Sequence, residues 1–63
     1  MNVQTITDLK GLYNTIAIQK GQWQTFVNNA GDPLTKNIAQ AKVDAYTDCM
    51  NIINAQIAQN IAS

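Results

Sequence analysis

A Gly-Asp-Pro tripeptide stands at residues 31–33, the middle of a 63-residue chain, and it restricts the folding of that chain more than any other feature. Glycine accepts the left-handed conformation that closes a helix, aspartate is a good N-cap, and proline fits a helix's first turn. Gly31, Asp32 and Pro33 therefore predict a helix stop followed at once by a helix start. The segments on either side are nearly equal in length. The expected fold is all-α: an antiparallel two-helix hairpin forming one domain over 1–63, with helix 1 over about 3–30, a turn at 31–32 and helix 2 over about 33–61.

The first arm carries a helical repeat. Ile6, Leu9, Tyr13, Ile16, Lys20, Trp23, Val27 and Ala30 follow one another at alternating steps of three and four, the spacing of a heptad seam with Lys20 as its interruption. Leu12 and Phe26 widen the stripe on one flank and Ala17 on the other. Two starts compete. Thr5 followed by Asp8 matches a capping box, and Asn2 with a Met1–Ile6 contact is an earlier cap and staple. Gly11 and Gly21 each cost about 1 kcal/mol relative to alanine. The seam keeps its phase across Gly21, which favours a continuous helix roughly 40 Å long.

On the second arm, successive residues lie about 100° apart. Lys36, Asn37, Gln40, Asp44, Thr47, Asp48, Asn51 and Asn54 collect on one side. The opposite arc holds Leu34, Ile38, Ala39, Ala45, Tyr46, Cys49, Met50, Ile52, Ile53 and Ile57. Folding about residue 31 or 32 places Trp23 near Ala39–Ala41, Ile16 and Tyr13 near Tyr46, Cys49 and Met50, Leu9 near Ile53, and Ile6 near Ile57. The second arc is wider than one two-helix seam requires. Two hairpins packed together enclose the interior that one cannot, so dimerisation into a four-helix bundle is expected. Tyr46, Met50, Ile53, Ile57 and Ile61 are the residues expected at that oligomer interface.

Composition points the same way. A chain of this size buries only about 60% of its unfolded surface and usually needs a disulfide, a metal or a partner. Cys49 is the sole cysteine and there is no histidine, which leaves association as the remaining support; no metal or cofactor is expected. The chain also lacks arginine and glutamate, and its four lysines and four aspartates cancel. A nucleic-acid binder needs a basic field and an interfacial membrane helix needs a basic polar face, so neither partner is expected. Asparagine and glutamine, nearly a quarter of the residues, supply solubility instead. The N-terminus has no secretory pattern, and a lone cysteine fits a reducing compartment, so the expected location is cytoplasmic. The size and the initiating Met1 fit a complete short product, of the kind compact viral or mobile genomes encode.

Few residues offer chemistry, and no catalytic residue is assigned. Asp44 and Asp48 share a helix face and resemble a carboxylate pair, but that face is amide-rich and reads as solvated. Cys49 has no histidine to activate it and reads as core packing between Ala45 and Ile53. Lys20 and Lys42 interrupt apolar stripes in neighbouring layers beside Trp23 and Tyr46. They form either a site for an anion or acidic partner with cation–π support, or a polar pair that sets register, or two side chains that snorkel to water. Opposite the seam of the first arm, Ile18 lies among Gly11, Asn14, Gly21 and Thr25. This is a candidate partner surface with Ile18 as its anchor, or a singly exposed apolar residue of the ordinary kind.

These features describe a small non-enzymatic interaction or regulatory protein: an adaptor, inhibitor or accessory factor that works as a helical homodimer on a larger protein partner. The alternative is a structural subunit that self-assembles into a filament or a viral or secretion assembly. In outline the chain resembles the hairpin subunits of secretion needles, although it is shorter and has Pro33 in place of their paired-proline turn.

Overall fold

A computed structural model describes residues 1–62 as two long helices, α1 (Val3–Asn29) and α2 (Pro33–Ala62), packed side by side as a hairpin. α1 begins at Asn2. The Asn2 side-chain oxygen accepts the Thr5 N–H at 3.0 Å, and its carbonyl accepts the Ile6 N–H at 3.0 Å. Asn2 is therefore the cap, and Thr5 lies inside the first turn. Gln4 then donates to the Asp8 carboxylate at 2.9 Å one turn along the same face. The helix runs without a break through Gly11 and Gly21. The hydroxyls of Thr15 and Thr25 donate back to the carbonyls of those two glycines, at 3.1 Å each.

The turn forms where Gly31-Asp32-Pro33 placed it, but by a different device. No glycine among the described residues has a positive φ. The chain leaves α1 through Ala30, which is extended (φ −65°, ψ 128°). A single extended residue redirects the backbone, so the left-handed closure expected at Gly31 is not needed. The start of α2 follows the expectation: the Asp32 carboxylate accepts the Thr35 N–H at 2.9 Å, and its carbonyl accepts the Lys36 N–H at 3.1 Å. Proline at the first helical position lacks only an N–H that no intrahelical acceptor would have met.

Each of the eight α1 seam residues from Ile6 to Ala30 is buried or half-buried, Lys20 included. The matching seam of α2 is Ala39, Val43, Tyr46, Met50, Ile53, Ile57 and Asn60, again in steps of three and four. Three corrections to the reading of the second arm follow. Val43, left out of its apolar arc, is only 5% exposed and joins Val27 and Ala39 in the core cluster against which Trp23 packs. Cys49, expected in the core, is exposed. Ala41, paired with Ala39 against Trp23, is exposed too. The reason is phase. A heptad seam through Ala39 and Val43 passes Tyr46 and Met50, and Ala41 and Cys49 fall outside it, Cys49 by about 100° from Met50.

The hairpin is long and thin, with Cα extents of 47 × 14 × 10 Å. Its radius of gyration is 14.6 Å, against about 11 Å for a compact chain of this length. Among the described residues five side chains are buried, Ile6, Val27, Ala39, Val43 and Ile53, and no large one is buried completely.

Candidate functional site

Two helices in contact divide their surfaces into the seam, two broad faces and two outer edges. The helical phase assigns residues to these, and contacts across the seam relate the two helices.

Trp23 fixes the first broad face. Its ring lies 5.2 Å from that of Phe26, and the Lys42 ammonium sits over it at 4.9 Å. The Phe26 flank of α1 and the Lys42 flank of α2 therefore open on the same side. Leu12 and Gln19 lie fourteen and seven residues before Phe26 and share its flank. Ile38, Ala45 and Cys49 lie four before, three after and seven after Lys42, and Leu34 and Ile52 border them. The large residues of this face are open to solvent: Phe26 is 58% exposed, Ile38 53% and Ile52 63%. The other broad face is polar, formed by Gln40, Asp44, Asn51 and their neighbours, with Asp44 accepting from the Gln40 side chain at 3.0 Å. Asp44 and Asp48 are both exposed there.

The outer edge of α1 carries the small-residue stripe. Ile18 is 62% exposed, and a Cβ built on Gly11 or Gly21 meets nothing within 4 Å. Neither glycine is required by a close approach of α2 or by a special backbone angle.

Lys20 and Lys42 take different positions. Lys20 is half-buried on the α1 seam, whereas Lys42 is exposed at the rim with its ammonium over Trp23. This cation–π contact crosses the seam, unlike the within-helix pairings the spacing suggested. The residues expected at an oligomer interface are also divided. Ile53 is buried on the seam, Tyr46, Met50 and Ile57 are half-buried on it, and Ile61 is exposed near the end of α2.

The Asp32 carboxylate is held below the ordinary aspartate value, chiefly by the Thr35 backbone N–H and then by the Thr35 side chain. Hydrogen bonds to the charged form favour it. Among the described residues no pocket opens, no three potential metal ligands gather, and no helix is long and apolar enough to cross a membrane.

The apolar broad face, with Leu34, Ile38 and Ile52 on α2, is the feature that reading by residue left unassigned. Its signal was the excess width of the α2 arc together with Leu12 and Phe26 on one flank of α1. Comparison with known protein families, with characterised proteins and with solved structures finds no significant match to the chain.

Proposed function

We propose that this chain is a small interaction or regulatory protein that works as a helical homodimer and presents the outer edge of α1 to a larger protein partner. The observation that carries this reading is the pairing of a thin core with open apolar surface. Among the described residues five side chains are buried, while Phe26, Ile38, Ile52 and Ile18 are more than half exposed. Such surface on a small chain marks a site of association.

The two glycines of the α1 edge support the second half of the proposal. Gly11 and Gly21 together forfeit about 2 kcal/mol of helix propensity, and the hairpin's own packing requires neither. Small residues around an apolar anchor let another helix approach closely, which gives the loss a use. Adaptors, inhibitors and accessory factors of larger enzymes act through surfaces of this kind.

The test has two parts. Sedimentation equilibrium over a hundredfold range of concentration should give a fixed dimer mass. Growth without limit would favour the self-assembling subunit instead. Affinity capture from the native cell should recover one stoichiometric protein with the wild type and lose it with Ile18→Lys, which leaves the dimer mass unchanged. Capture that is indifferent to Ile18→Lys would remove the α1 edge as the partner surface.

A further inference from the structure

The homodimer proposed above leaves open which surface the copies share. We infer that it is the apolar broad face centred on Ala45 and Gln19, and that its occupant is a second copy of this chain.

The face is self-complementary. Leu12 and Phe26 are fourteen residues apart on α1, and Ile38 and Ile52 are fourteen apart on α2, about 21 Å in each case. Val27 and Ala39 share the core cluster, so their neighbours Phe26 and Ile38 stand at nearly one height, and Leu12 and Ile52 stand at another. Four large apolar side chains thus mark the corners of a rectangle. Gln19 and Ala45 lie midway along its two long sides. An isologous contact needs a patch that matches itself after a two-fold rotation. A two-fold axis through the centre of this rectangle, along or across the hairpin, sets large corners on large corners and the middle residues on one another.

The sizes suit that contact. Packed helices cross at an angle, so they are nearest at the crossing and diverge away from it. Ala45 and Cys49 are small where α2 would approach another chain most closely, and Ile38 and Ile52 are large where the gap widens. Charge suits it too. Lys42 is the one charged side chain on this face between the corners, and its ammonium is turned onto Trp23 of its own chain.

The whole broad face, 47 by 14 Å between Cα atoms, offers about 650 Å² before side chains are added, close to the roughly 800 Å² per partner of a stable interface; the patch of about 21 Å is the centre of a contact that runs the length of the hairpin. The accessible surface of the described chain is 4363 Å², against about 4,000 Å² for a compact monomer of its mass. The hairpin exposes about 360 Å² more than that compact shape would.

The experiment uses the full chain, with mass from sedimentation and Cys49 labelling by a thiol reagent as two readouts. Ala45 is exposed, so Ala45→Lys retains the hairpin, which circular dichroism verifies. It should weaken dimerisation at least roughly a hundredfold by placing like charges near the axis. Ile38→Lys should do the same, and Ile18→Lys should not. Cys49 of the wild type should label fast when dilute and slowly once dimer forms. A dimer that survives both Ala45→Lys and Ile38→Lys, or whose Cys49 labels as fast as in the monomer, overturns this face while the homodimer stands. A wild type that is monomeric at every concentration with Cys49 always open overturns both and leaves the face to a different protein.

Discussion

Replacing Gly11 and Gly21 together by alanine should stabilise the hairpin by about 2 kcal/mol, and the figure follows from the geometry. Each glycine lies inside α1 with helical neighbours on both sides, and neither has a positive φ. A Cβ at either position meets no atom within 4 Å, so no packing penalty offsets the gain. The Thr15 and Thr25 hydroxyls bond to the glycine carbonyls, which a methyl group leaves in place. Each substitution then returns the helix-interior difference of about 1 kcal/mol, largely by restricting the unfolded chain. The sites are ten residues apart, about 15 Å along the helix, so the effects should add. For a chain of this length about 2 kcal/mol corresponds to a rise in Tm of about 8–16 °C. The assay is thermal unfolding followed by circular dichroism at fixed chain concentration, because association makes Tm depend on concentration. An unchanged or lowered Tm would refute the reasoning: something would then cover the outer edge of α1, and the dimer would be built on that edge. The same double variant should lose the partner while gaining stability, a separation that a purely structural role for the glycines does not produce.

Three further outcomes follow from the same contacts. Asp32→Ala should lower Tm at neutral pH and Asp32→Asn much less, since asparagine also caps. Because the folded carboxylate titrates below its unfolded value, its contribution is present above the unfolded pKa and is lost as pH falls through the folded one, so Tm measured from pH 6 to pH 2 should converge for wild type and Asp32→Ala at the acid end. Ala39 is 1% exposed in the core cluster with Val27 and Val43, so Ala39→Leu should cost about 1–3 kcal/mol by overpacking, read as a lower urea midpoint. Lys42→Gln removes the ammonium from the Trp23 face and should cost about 0.5–1 kcal/mol, with a shift in tryptophan emission that Lys36→Gln does not cause.

Much of the fold was legible in the residues because helices are local structures. The α1 seam needed only the spacing from Ile6 to Ala30, since a 3.6-residue repeat leaves one continuous stripe. The turn needed only Asp32 and Pro33, whose capping and dihedral preferences act within three or four residues. The errors arose where two stripes share one helix. The apolar arc of α2 holds both the seam and the free face, and hydrophobicity does not say which is which. The residue pattern therefore reads Cys49 into the core and leaves Val43, at the edge of the arc, out of it. Tyr46, Met50, Ile53 and Ile57 look as suited to another chain as to α1 until the partner helix is in place.

The residues alone decide where this chain is helical, where it reverses and which stripe of α1 is covered, because each depends on interactions a few positions apart. Which half of the α2 arc meets α1, and hence which half remains open, follows from rotation of one helix against the other. That rotation is set by the contacts of Val27, Ala39, Val43 and Trp23 across some twenty residues of sequence, and no local pattern encodes it. The same rotation puts Leu12 and Phe26 beside Ile38 and Ile52, turning four scattered apolar residues into one surface.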